Sequence, residues 1–81
     1  MTRIPGWKNV DNLQIFKEMK FKDFKEAMKF INAVAEIAEA EQHHPDIYIF
    51  YNAVRLELST HAIKGLSEND FILAAKIDKI L

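Results

Sequence analysis

The 81 residues make one small domain, 1–81, whose core is limited by its surface-to-volume ratio, and association with further copies is a direct way to extend it. A formal net charge of -1, with 28% charged and 49% hydrophobic residues, describes a soluble globular protein and gives no electrostatic reason to expect direct binding to nucleic acid or to an anionic membrane. The absence of cysteine excludes a disulfide framework, a thiolate nucleophile and a cysteine metal site. No apolar run reaches the length of a membrane span, and the start M-T-R-I-P-G-W lacks the apolar centre of a signal peptide, so the cytoplasm is the expected location.

Pro5, Gly6 and Trp7 predict a turn leading into a short edge strand through Val10. Leu13, Ile15, Met19 and Phe21 then alternate with Gln14, Glu18 and Lys20, which predicts a strand from Leu13 to Phe21 with one face on a core; Lys17 breaks the apolar face and Phe16 the polar one. Asp23-Phe24-Lys25-Glu26 has the pattern of a capping box. Phe24, Met28, Ile31, Val34, Ala35 and Ala38 follow at helical spacing, with Lys25, Lys29, Glu36 and Glu39 opposite, so the spacing predicts an amphipathic helix to about Glu41, stopped by Pro45 downstream.

Two runs rich in β-branched and aromatic residues come next, Ile47 to Tyr51 and Val54 to Thr60, separated by Asn52-Ala53. Read as a hairpin with a two-residue loop, they pair Tyr51 with Val54 and, further along, His44 with His61. Val54, Leu56 and Leu58 then share an apolar face with Tyr51, Ile49 and Ile47, while Tyr48 and Phe50 lie on the other face as a candidate subunit contact. Ala62 to Leu66, containing Gly65, forms a connection. Ser67-Glu68-Asn69-Asp70 is a second capping box, opening a helix with Leu73, Ala74, Ile77, Ile80 and Leu81 as its stripe. The order strand, strand, helix, strand, strand, helix implies an α+β fold: a four-stranded antiparallel sheet with two main helices packed on one face.

All three histidines fall at the ends of the predicted hairpin; Glu39, four residues before His43, lies beside its imidazole if the last helical turn persists that far, and Asp70 is in the first turn of the last helix. Three readings stand at this point. They are ordinary solvated side chains; or they bind a metal, for which no H-E-x-x-H spacing exists and a ligand such as Glu39 or Asp70 has to be recruited. In the third, facing imidazoles hold one neutral and one protonated ring near neutral pH, which suits removal of water from a substrate. Only two glycines occur in the chain, and no phosphate-cradling loop, nucleophile elbow or cofactor fingerprint is present, so that chemistry is expected to need no tightly bound cofactor.

His43-His44-Pro45 with the aromatic-rich strand after it, Tyr51-Asn52-x-Val54, Leu58-Ser59-Thr60-His61, Gly65-Leu66-Ser67 and Asp70 together closely resemble the pterin-4a-carbinolamine dehydratase family. The segment Met19 to Ala27 is similar to that family's strand-to-helix transition, and the likeness runs from about Gly6 to the C-terminus. The resemblance implies a hydro-lyase that removes water from a 4a-hydroxytetrahydropterin to give the quinonoid dihydropterin, in tetrahydrobiopterin recycling or related pterin metabolism. It implies His43, His44 and His61 as catalytic residues and Glu39, Pro45, Ser59, Thr60, Ala62 and Asp70 as substrate-binding residues. It also implies a homodimer or homotetramer and a second function class, a non-catalytic interaction module that stabilises dimers of a transcription factor. Gln42 stands where an acidic residue is frequent, and Ile47 where a tryptophan is common; the second departure removes a stacking surface for the pterin.

Overall fold

Strand periodicity places Val54, Leu56 and Leu58 on one face, and all three are buried in the computed structural model, which describes residues 6–81. They belong to the fourth strand of a chain that runs, over the described residues, β1 (Lys8–Val10), β2 (Gln14–Lys20), α1 (Phe24–Glu41), β3 (Asp46–Phe50), β4 (Ala53–Leu58) and α2 (Glu68–Asp78), with a 3-10 turn, His61–Ile63, before the last helix. The sheet is antiparallel throughout, in the order β1-β2-β4-β3. Ile15 of β2 joins the β4 residues against Ala27, Phe30 and Val34 of α1 and Leu73, Ala74 and Ile77 of α2, so both helices cover the same face. The expected α+β layer arrangement is the one observed. Pro5, part of the predicted opening turn, lies outside the described residues.

The two hairpins close through backbone conformations with positive φ. Asp11 and Asn12, at φ 54° and 58°, turn β1 into β2, and Leu13 N donates to Val10 O at 2.9 Å. In the second hairpin the loop residues are Tyr51 and Asn52, because Phe50 pairs with Ala53 and Ile49 with Val54. This corrects the predicted pairing of Tyr51 with Val54. Asn52 explains the choice: its carbonyl accepts from Phe21 N at 2.8 Å and its side-chain amide donates to Phe21 O at 3.0 Å, so the loop is anchored to the end of β2. Tyr51 takes up the left-handed conformation at φ 56°. The register differs from the expected one by two residues, an even number, so Ile47 and Ile49 keep the helix-facing side.

Lys17, the break in the apolar face of β2, reaches Asp78 of α2: its Nζ donates to Asp78 Oδ1 at 2.9 Å, and Trp7 Nε1 donates to the same oxygen at 3.0 Å. The N-terminal edge is thereby tied to the last helix. Phe16, the apolar residue on the outer face, lies beneath the Arg55 guanidinium, 3.9 Å from its ring centroid. Arg55 also donates to Glu57 at 2.7 Å and to Glu18 at 3.2 Å; its hydrogen bond to Glu57 is the largest influence raising its pKa. Tyr48 lies in the same cluster, and the negative charge of Glu57, ahead of desolvation and of Asp46, raises its phenol above the ordinary 10.0.

Asp23 caps α1 as expected, its Oδ1 accepting from Glu26 N at 2.9 Å. The buried stripe of α1 is rotated from the predicted one: Ala27, Phe30, Val34 and Ala38 are buried, while Phe24 is exposed and stacks on Tyr51 with ring centroids 6.5 Å apart. Apolar residues cover a wide arc of this helix, and contact with the sheet and α2 selects one part of it. In α2 the helix ends at Asp78, so Ile80 and Leu81 leave the predicted stripe and are exposed. Leu56, on a central strand and fully buried, reports most directly on this packing. Leu56→Ala is expected to cost about 2–5 kcal/mol in equilibrium urea unfolding; a loss below about 1 kcal/mol contradicts the core described.

Candidate active site

A carboxylate shielded from water requires donors, and Asp70, in the first turn of α2, is fully buried. Its Oδ2 accepts from Ser67 N at 2.9 Å, closing one side of the predicted capping box, and from Thr60 Oγ1 at 2.8 Å. Its Oδ1 lies 2.5 Å from His43 Nε2. A carboxylate accepts and does not donate, so the hydrogen in that contact is on Nε2, and Nδ1 is left as the nitrogen available for proton exchange in the neutral ring.

His43 reaches Asp70 because of how α1 ends. Gln42 adopts the left-handed conformation at φ 53°; its N–H donates to Glu39 O at 3.3 Å and His43 N–H to Ala38 O at 3.2 Å. These two bonds form a Schellman motif, which reverses the chain within two residues and turns His43 back toward α2. Lys76 of α2 donates to Glu41 at 2.5 Å and holds the two helices together beside this turn. The imidazole of His43 is largely covered, with 15% of the side chain exposed.

Glu39 does not lie beside His43 as predicted. It pairs with His44 Nε2, and both side chains are exposed. The turn at Gln42 is the reason, since His43 leaves the helix face on which Glu39 sits. His44 and His61 also do not oppose each other across the hairpin: the β3 ladder begins at the pair of Asp46 with Glu57, and β4 ends at Leu58. His61 instead opens the 3-10 turn. That turn is pinned at its base by Thr60, whose N–H donates to Gly65 O at 2.7 Å and whose carbonyl accepts from Gly65 N at 3.4 Å. Lys64, at φ 52°, closes it with a bond to His61 O at 3.1 Å. His61 and Ala62 are exposed, and Ser59 and Pro45 are half-buried on the flanking strands of chain.

Of the predicted site residues, hydrogen bonds therefore join His43, Thr60 and Asp70, with Glu39 and His44 as a separate pair. His61 is attached to the network through the backbone of Thr60. Ser67, a helix cap and motif residue that is not among the predicted site residues, is a member as well: its Oγ is 2.6 Å from Thr60 Oγ1. Among the described residues, no cluster of three or more His, Cys, Asp or Glu side chains is arranged to hold a metal ion. An open cavity of about 280 Å³, lined in part by Phe21, Phe30, Ala33 and Ile80, includes none of the predicted site residues.

A model of the family described as "Pterin 4 alpha carbinolamine dehydratase" matches residues 1–80. The chain belongs to this family. A curated relative from Nitrosospira multiformis, named "Putative pterin-4-alpha-carbinolamine dehydratase", is 52% identical over 80 residues, covering 99% of this chain and 70% of its own length. One of the same name from Halorhodospira halophila is 46% identical over 81 residues, covering 99% and 74%. In three dimensions the chain is similar to a "transcriptional coactivator/pterin dehydratase" from Brucella melitensis, with a TM-score of 0.89 and 38% identity, over 95% of this chain and 83% of that one.

Within this member of the pterin-4a-carbinolamine dehydratase family, Asp70 is the residue on which the site's bonding depends. Replacing it by Ala removes the acceptor from His43, Thr60 and Ser67 N together. Asp70→Ala is expected to cost about 2–3 kcal/mol or more in urea unfolding followed by circular dichroism; a cost under about 1 kcal/mol contradicts the bonding described.

Proposed function

We propose that the chain is a hydro-lyase that removes water from a 4a-hydroxytetrahydropterin and releases the quinonoid dihydropterin, in tetrahydrobiopterin recycling or related pterin metabolism. Family membership supports the substrate class, and the contact of His43 with the buried Asp70 is the observation that carries the chemistry. The carbon–oxygen bond at C4a breaks, the departing hydroxyl takes up one proton to leave as water, and one proton is removed from a ring N–H. The reaction thus needs one proton donor and one proton acceptor, and no net oxidation or reduction occurs.

His43 and His61 are assigned to these two proton transfers. Asp70 keeps the His43 ring oriented, as a carboxylate does for a histidine general base elsewhere. His44, steered by Glu39, orients the pterin. Pro45, Ser59 and the backbone at Ala62 line the substrate position. No cofactor or metal is part of this scheme. The assignment includes a homodimer or homotetramer, for which the exposed Tyr48 and Phe50 on the edge strand β3 are a suitable surface.

Purified protein mixed with freshly generated 4a-hydroxytetrahydropterin, with dehydration followed by ultraviolet absorbance, tests the reading. The wild type is expected to accelerate the reaction. His61→Ala, a change at an exposed turn residue, is expected to slow it by roughly 10²–10⁴-fold with unchanged thermal unfolding. Equal turnover in the variant overturns the assignment of His61. A wild type that gives no acceleration overturns the enzyme reading and leaves the interaction module as the alternative.

A further inference from the structure

The number of protons each group carries fixes the directions of the hydrogen bonds around Asp70. A threonine hydroxyl has one proton, and Thr60 Oγ1 is 2.8 Å from a carboxylate oxygen that can only accept, so that proton is directed at Asp70. In the 2.6 Å contact between Thr60 Oγ1 and Ser67 Oγ, the donor is consequently Ser67. The result is an ordered chain in which Ser67 O–H donates to Thr60, Thr60 O–H donates to Asp70, and the opposite oxygen of Asp70 meets His43 Nε2.

From this ordering we propose that Thr60 and Ser67 are positioning residues for His43, acting through Asp70, and that the Thr60 hydroxyl gives no proton to the substrate. The proposal rests on the dehydratase reading for its kinetic consequences, and it changes the role of Thr60 from the pocket lining implied by family resemblance to support of the general acid–base. Ser67 acquires a function beyond capping α2. Its backbone N–H and its hydroxyl act on the same carboxylate, the first directly and the second through Thr60. The backbone of Thr60 also closes the turn carrying His61, so one residue supports the segments that carry both histidines assigned to proton transfer.

Thr60→Val keeps the side-chain shape and removes the hydroxyl, Thr60→Ser restores it, and Ser67→Ala removes the donor behind it. Two readouts apply to each variant: exchange of the His43 Nε2 proton with solvent, by proton–nitrogen NMR, and separate kcat and KM values for dehydration. In Thr60→Val, exchange is expected to become faster and kcat to fall by roughly 10–100-fold, the usual range for a partner of a ligating or reacting group, with KM within about twofold of wild type. Thr60→Ser is expected to return both toward wild type, and Ser67→Ala to move both in the direction of Thr60→Val by a smaller factor. Wild-type exchange in Thr60→Val, or a raised KM with unchanged kcat, overturns the proposal. Should Thr60→Val fail to fold, Ser67→Ala decides by the same two readouts. An inactive wild type sinks the dehydratase reading and still leaves the exchange measurement to decide the hydrogen-bond assignment.

Discussion

Burial of one carboxylate organises the candidate site of this molecule. Taking Asp70 out of water is unfavourable unless its oxygens are satisfied, and its three donors come from three places in the chain. His43 follows α1, Thr60 follows β4, and Ser67 precedes α2. Packing sets these segments near one another, since Ala38, Leu58 and Leu73, each a few residues from one of the contacts, are buried in the molecule. The carboxylate then links them by directional bonds, which is how a site requiring fixed imidazole orientation can be held by loops and helix ends.

Much of the architecture was legible because periodicity and turn chemistry agreed. The alternation of Val54, Leu56 and Leu58 with Arg55 and Glu57 marks a strand with one buried face, and Asp23 and Ser67 mark the starts of the two helices. The second hairpin was less legible. Its loop places Tyr51 at positive φ, a conformation for which tyrosine carries no sequence signal, and the residue that fixes the loop, Asn52, does so through a contact with Phe21 thirty-one residues away. The predicted faces still hold because the register error was even. In α1, a broad apolar arc leaves the rotation open until a sheet is placed against it, and Lys17 appears as an anomaly until its partner Asp78 comes into view.

The site divides in the same way. Asp70 at the third position of a capping box can be found from four adjacent residues, whereas its contact with His43 spans twenty-seven and cannot. The expectation that Glu39 would sit beside His43 assumes a helix continuing through residue 43. A left-handed Gln42, where glycine is the usual residue, ends the helix first and sends the two histidines to different carboxylates, His43 to Asp70 and His44 to Glu39. The histidines are therefore organised by helix termini and a pinned turn, and cross-strand pairing plays no part. Motif likeness named the residues; their connections depend on long-range geometry that spacing does not encode.

In the proposed reaction Asp70 acts through His43. A double-mutant cycle on kcat/KM for dehydration of 4a-hydroxytetrahydropterin, with His43→Ala, Asp70→Asn and the two combined, measures that dependence directly. Dependence of Asp70 on His43 is expected to show as a loss in each single variant and a double variant no slower than His43→Ala alone. Losses that multiply, as they do for residues acting independently, would contradict it.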